Sequence, residues 1–340
     1  MTISLQSREI KPPAELVASL KQEGLASIIT NFDQLFNYPN SRGDAKLIEA
    51  CKRITPNWSG DALITNSATQ ALQYALQVVG RDKTIAVCVP AYFEIFDQAK
   101  ALGQKILTWQ NIDELKQLGK VDAIICTSNF TPPSGISFAD SQKQEIADFA
   151  GKHDAYVIED NAYDALWFNE KPPQAIPTDP NRAIRIASCS KNIAPGLRLG
   201  FVRANEAILE QIRAHKIRSG LGTGLPVQWL ALPALSDSYQ EAWRTALHQR
   251  SDAFRTEAQK QSAMTIPIPE GGPYLSLDIK QDPKALAERT QNKGLLIDTN
   301  GSQFADGQAR SPLRLHIGAI EQEDIPEAVR ILHQSIDELS

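Results

Sequence analysis

The sequence predicts an α/β protein: a layered domain on a mainly parallel sheet, followed by a smaller α+β domain. Two observations carry this. Through the first two thirds of the chain, short apolar runs rich in β-branched residues alternate with helical patterns. After about Gly220 the texture changes to a long, mostly polar helical stretch, then isolated strand-like runs and a closing amphipathic helix.

The elements follow in order. Ala68 to Val79 has helical apolar spacing, and Thr84 to Val89 is a β-branched run that stops at Pro90. Phe93 to Leu102 reads as helix, Lys105 to Thr108 and Ala123 to Thr127 as strands. Ser141 to Lys152 reads as helix, then Ala155 to Glu159, Arg182 to Ser188 and Leu199 to Arg203 as strands. Runs this short, apolar on both faces and alternating with helices, belong in a parallel sheet covered on both sides. Gln228 to Lys260 places Trp229, Leu232, Tyr239, Trp243, Leu247 and Phe254 at helical spacing, and Pro233 breaks it near its start. The part beyond that proline is long enough to bridge two domains. Gly271 to Leu277 reads as a turn into a strand, Leu313 to Ile317 as a half-buried strand, and Ile325 to Ile336 as an amphipathic helix. The division expected is an N-terminal arm, 1–30, a large domain, 31–235, and a small C-terminal domain, 236–340.

Composition narrows the function. The 340 residues are 42% hydrophobic and 22% charged, enough for one large core or two moderate ones. A net charge of −5 without a basic block disfavours nucleic acid and anionic membranes as partners. No apolar run approaches the ~20 residues of a membrane span. The N-terminus has no apolar core and places Arg8, Glu9 and Lys11 early, so no signal peptide is expected and the cytoplasm is the expected location. Cys51, Cys88, Cys126 and Cys189 are scattered, as are the five histidines, which argues against a metal site and a disulfide framework.

Three stretches carry candidate chemistry. Ser188-Cys189-Ser190-Lys191 opens a run that reaches Pro195-Gly196-Leu197-Arg198-Leu199-Gly200. A lysine directly after a strand is placed to form a Schiff base with a carbonyl, and Ser188 and Arg198 are suited to an anion beside it. Any isolated loop lysine is ordinarily just a solvated charge. Val157-Ile158-Glu159-Asp160-Asn161-Ala162-Tyr163 puts a carboxylate at the carboxyl end of a strand, where open α/β sheets bind ligands. Alone, Asp160 reads equally well as a turn or cap residue. Thr65-Asn66-Ser67-Ala68-Thr69-Gln70-Ala71-Leu72 opens a helix with small and hydroxyl residues, whose free N–H groups suit a phosphate. A plain Ser67 N-cap is the commoner use of such a residue.

Taken together, the S-x-S-K-x-x-x-P-G-L-R-x-G run, D-N-A-Y and S-A-T-Q-A-L upstream of it, and L-R-L near the end resemble the class I/II aminotransferases. These are the fold type I enzymes that use pyridoxal 5'-phosphate, and the resemblance runs from about Tyr38 to the C-terminus. It implies a three-layer α/β/α large domain. It also implies roles. Lys191 would hold the cofactor, Asp160 would pair with the pyridine nitrogen, and Tyr163 would hydrogen-bond the phenolic oxygen. Ser67, Ala68, Thr69, Ser188, Ser190 and Arg198 would form the phosphate cup, Tyr92 would stack on the ring, and Arg314 would take the substrate carboxylate. Tyr38 would reach the phosphate of a second subunit in a homodimer. No metal is implied.

One departure stands out. The family's N-P-[ST]-G reads Pro132-Pro133-Ser134-Gly135 here, so the asparagine that donates to the phenolic oxygen is a proline. Asn129, three residues earlier, is the candidate for the same oxygen. The reading implied is an aminotransferase acting on an amino acid or related amine. Other chemistry of the same cofactor, as a lyase, decarboxylase, cyclase or oxidase in a biosynthetic pathway, is the alternative that Pro132 keeps open. A non-catalytic ligand-sensing domain ranks last, because related regulators carry a basic winged helix ahead of the domain and this chain starts directly with the enzyme-like part.

Overall fold

The structure is a computed structural model that describes residues 1–340 except Met1, Ser7, Arg8, Ser262 and Ala263; the early charge read at Arg8 lies outside the described residues. The chain runs β1 (Ile3–Ser4), α1 (Ala14–Thr30), α2 (Ala45–Ile54), β2 (Asp61–Thr65), α3 (Ala68–Val79), β3 (Thr84–Cys88), α4 (Glu94–Ala101) and β4 (Lys105–Trp109). It continues through α5 (Ile112–Gln117), β5 (Ala123–Cys126), α6 (Asp140–His153), β6 (Tyr156–Asp160), β7 (Ala183–Ser188), β8 (Gly200–Ala204), α7 (Glu206–Gly220) and α8 (Leu225–Ala231). The last third holds α9 (Asp237–Gln259), β9 (Tyr274–Leu277), α10 (Pro283–Asn292), β10 (Leu295–Leu296), β11 (Leu313–His316) and α11 (Ile325–Asp337).

Seven strands form one sheet in the order β2-β8-β7-β6-β5-β3-β4. The four pairings from β7 across to β4 are parallel, and β8 alone runs against its two neighbours. Alternate residues serve opposite faces, as a pleated strand requires. Leu63, Ile85, Val87, Ile125, Ile158, Ile186 and Val202 pack with α3, α4 and α7 on one side. Ala86, Ile124 and Val157 pack with α5 and α6 on the other, where Ile64, Ala187 and Phe201 meet α2, α8 and α9. The result is three layers around a sheet buried on both faces, the architecture expected.

A second core collects β1, β9, β10, β11, α10 and α11. Ile3 and Leu5, from the arm, are part of it, because β1 pairs in parallel with β10. Helix α9 joins the two cores. Its first half places Tyr239, Trp243 and Leu247 against the large core, and its second half places Phe254 and Ala258 in the small one. Pro233 separates α8 from α9 as its missing N–H dictates, and Ser236 caps α9 by accepting from the Tyr239 N–H.

The sheet carries a buried ion pair that steadies the strand ends. Glu159 on β6 and Arg185 on β7 are direct neighbours in the ladder, their side chains 1% and 6% exposed and 2.9 Å apart. Arg185 also donates to the Ile176 carbonyl, while Glu159 accepts from Ser128 Oγ and the Ile176 N–H. Every charge in this cluster is met by partners, so removing one leaves the other stranded. Arg185→Met is expected to lower the unfolding free energy by about 3–5 kcal/mol in urea denaturation. A loss below about 1 kcal/mol would mean that the pair does not brace β6 against β7.

Candidate active site

The strand directions place the candidate residues along one edge. β2, β6 and β7 all end there, and β8, running the other way, begins there: Thr65 and Ser188 both lie opposite Gly200 in the ladder. Asp160 and Ser188 fall in phase with Ile158 and Ile186, so they continue the face covered by α3. Carboxylate, hydroxyl and the start of α3 thus converge without any long loop. A cleft of about 550 Å³ opens at this edge, walled on the far side by Tyr274, Asp298 and Arg314 from the second core.

Three places in the cleft have their own local cause. The first is the start of α3. Ser67 caps the helix by accepting from the Gln70 N–H, and its φ of +128° turns the chain sharply into it. The first-turn N–H groups have no acceptor within the helix, and so point to an anion. Gly200 lets β8 approach this turn: a Cβ there would stand 2.5 Å from the Ala68 nitrogen. Arg198 sits just ahead of it at φ +50°, with Nη1 donating to the Pro195 carbonyl. Two non-glycine residues with positive φ beside one glycine mark a cradle held open by its surroundings.

The second is the Lys191 loop. It closes on itself through the Ile193 and Ala194 N–H groups, which both donate to Cys189 O, and through Cys189 N–H, which donates to Leu199 O. Trp243 Nε1 donates to the Lys191 carbonyl at 2.8 Å, fixing the lysine backbone to α9. The side chain lines the cleft with Ser188, Ser190 and Arg198.

The third is Asp160. Its Oδ1 is shielded from solvent and has no hydrogen-bond partner among the described residues. Burial pushes its carboxyl up to about 6. An acid kept this dry and unpaired is suited to a cationic partner that the chain itself does not supply. Nearby, burial and then the neighbouring Tyr274 hold Tyr163 well above the usual phenol range. Arg314 Nη2 pairs with Asp298 at 3.6 Å, and its guanidinium lies 4.6 Å from the Tyr274 ring centre.

Of the expected residues, Ser67, Ala68, Thr69, Tyr92, Asp160, Tyr163, Ser188, Ser190, Lys191, Arg198 and Arg314 all line this cleft. Tyr92 shares a 3.0 Å hydrogen bond with Thr69. Two do not line it. Asn129 is fully buried on the opposite face of the sheet, where its amide is already committed: Oδ1 accepts from Lys143 at 2.7 Å, and Nδ2 donates to Asp164 and to the Pro173 carbonyl. It is therefore not placed to act on a ligand in the cleft, which corrects the expectation from the sequence. Tyr38 is 87% exposed and lies outside the cleft of its own chain. Sequence reasoning missed Tyr274 and Asp298. Only the Gly271-Gly272-Pro273-Tyr274 turn hinted at the first, since a tight turn before a strand aims its first side chain.

The chain matches the family Aminotransferase class I and II over residues 4–332. An uncharacterised HTH-type transcriptional regulator, YisV, of Bacillus subtilis is 25% identical over 355 residues, 96% of this chain and 72% of the regulator. Aromatic-amino-acid aminotransferase 1 of Thermococcus litoralis is 24% identical over 246 residues, 67% of this chain and 58% of that enzyme. Among solved structures, LysN, the α-aminoadipate aminotransferase of Thermus thermophilus complexed with N-(5'-phosphopyridoxyl)-L-leucine, superposes with a TM-score of 0.87 at 20% identity, covering 99% of this chain and 91% or more of related enzymes of this fold.

The desolvated Asp160 has a consequence for stability. Its folded-state pKa is raised, so without a cationic partner its contribution is favourable below the unfolded pKa and is lost as pH rises toward 6. In the cofactor-free protein, Asp160→Asn is expected to raise stability by about 1–3 kcal/mol at pH 7.5, and by much less near pH 4. Urea denaturation at the two pH values measures this; an equal effect at both would mean that Asp160 is not desolvated.

Proposed function

We propose, for a chain that belongs to aminotransferase class I and II, that Lys191 carries the cofactor and that amino acids or related amines are its substrates. Membership makes the chain a pyridoxal-phosphate-dependent aminotransferase. The single observation that supports these roles is that Lys191, Asp160 and Arg314 line one cleft beside an open helix start. The residues fit the cofactor, because Asp160 Oδ1 is shielded and lacks the partner that a protonated ring nitrogen would be.

Bound there, pyridoxal phosphate supplies an electron sink for a substrate carbon. The chain does the rest. Ser67, Ala68, Thr69, Ser188, Ser190 and Arg198 hold the phosphate through first-turn N–H groups, hydroxyls and a guanidinium. Asp160 keeps the ring nitrogen protonated, and Tyr163 donates to the phenolic oxygen. Tyr92 covers the ring. Arg314 receives the substrate carboxylate and so fixes which bond faces Lys191. The Lys191 amine, released when the substrate amine takes its place, accepts the proton from the substrate α-carbon and returns it one atom away.

The working unit we propose is a homodimer. Ile29, Phe32, Phe36 and Tyr38 leave an apolar face on one segment, from 54% to 87% exposed, of a kind that soluble chains usually cover. A two-fold copy seated on it would bring Tyr38 toward the neighbouring cleft. The division at residue 235 into a large cofactor domain and a small C-terminal one, after an arm of about 30 residues, fits the two cores that α9 joins. Four buried free cysteines fit a reducing cytoplasm.

A second reading rests on one finding: regulators as well as enzymes are among the relatives. On it, the domain would bind an amino acid without turning it over. One experiment separates them. An amino acid added alone to the loaded protein is expected to release one equivalent of its keto acid, and a second keto acid is expected to restore the original absorption spectrum. Release of ammonia, carbon dioxide or peroxide would instead favour the lyase, decarboxylase or oxidase chemistry. A spectral change with no product would favour a sensor.

A further inference from the structure

Tyr274 touches three groups at once. Its ring stands edge-on to Tyr163, with centres 5.5 Å apart and planes at 86°. The Arg314 guanidinium lies 4.6 Å from the ring centre. The fully buried His316, its direct neighbour in the β9–β11 ladder, stands 5.0 Å away. Tyr163 and Arg314 lie on opposite cores, so Tyr274 is the side chain through which one meets the other.

The backbone fixes this contact. Leu166 N–H donates to the Tyr163 carbonyl at 2.8 Å, and the Leu166 carbonyl accepts from the Gly272 N–H at 2.8 Å. The turn before Tyr274 is thereby tied to the loop that carries Tyr163. Gly271 is obligatory in that tie, since a Cβ would meet the Leu166 carbonyl at 2.7 Å and the Phe130 ring at 2.9 Å. On the other side, Ile317 N–H donates to the Pro273 carbonyl, so the strand that carries Arg314 is locked to the same turn.

We propose that Tyr274 is a positioning residue for both ends of the reacting centre: its hydroxyl orients Tyr163, and its ring holds the plane of the Arg314 guanidinium. A phenol has one donor and two acceptor sites, so Tyr163 can accept from Tyr274 while donating into the cleft. Such a chain polarises the second bond and strengthens it. The ring face opposes a planar cation at 4.6 Å and complements the Asp298 carboxylate at Nη2, which leaves the buried, unpartnered Nε–H of Arg314 directed elsewhere. This rests on the assignment of Tyr163 and Lys191 to the cofactor.

Two variants separate the halves. Tyr274→Phe keeps the ring and removes the hydroxyl. With Tyr163 less well held, more negative charge stays on the cofactor's phenolic oxygen and the adjacent Schiff-base proton is held more tightly. The pH midpoint of the cofactor absorption band is expected to move up by about half a unit, with little change in KM. Tyr274→Leu also removes the ring; KM for amino acids is expected to rise about tenfold or more, with simple amines much less affected. A midpoint that does not move in the first variant, or equal losses for amino acids and amines in the second, overturns the proposal. If borohydride fails to fix the cofactor to Lys191 in the wild-type protein, the underlying assignment of the site fails instead.

Discussion

The site depends on one unsatisfied charge. Asp160 ends β6 with a carboxylate that is dry, has an oxygen without a hydrogen-bond partner, and is pushed up to about 6 by burial. Proteins seldom keep such a group unless a ligand completes it. Its neighbour in sequence, Glu159, is the opposite case: it faces the other side of the sheet and is fully engaged with Arg185, Ser128 and the Ile176 N–H. The alternation of a single strand therefore separates a structural carboxylate from a functional one. The braced pair holds the strand end that presents the unbraced one.

The same economy governs the rest of the cleft. Three strands that end together, and one that begins there, bring the α3 start, the Lys191 loop and Asp160 to one edge. Gly200 is small so that β8 can pass the α3 turn, and Gly271 is small so that the Tyr274 turn can pass Leu166. Both glycines sit where two backbones approach closely, one on each side of the cleft. Stability is spent at such points on shape and desolvation, and is recovered in the large apolar cores beneath.

Much of this was legible in the sequence. The period of Ala68 to Val79 gave α3 to the residue, and Pro233 marked the break before α9, because proline and periodicity act locally. The Lys191 and Asp160 motifs could be read because they sit at strand ends, which the sequence also marks. Less legible were groups whose role depends on distant partners. Asn129 lies close in sequence to the altered Pro132 motif, but Lys143 and Asp164 hold it on the far face of the sheet. Tyr274 and Asp298 come from the second core, and no local spacing says that they will meet Tyr163 and Arg314. β2 was also missed, since five residues starting with Asp61 carry little pattern.

The account stands or falls on whether Asp160 completes its charge with the cofactor ring. Nitrogen-15 NMR of the protein loaded with pyridoxal phosphate labelled at the pyridine nitrogen reads that proton directly. The account predicts a protonated ring nitrogen in the wild-type protein across neutral pH, and a deprotonated one in Asp160→Ala. A neutral ring nitrogen in the wild type, or one that ignores the substitution, would contradict it.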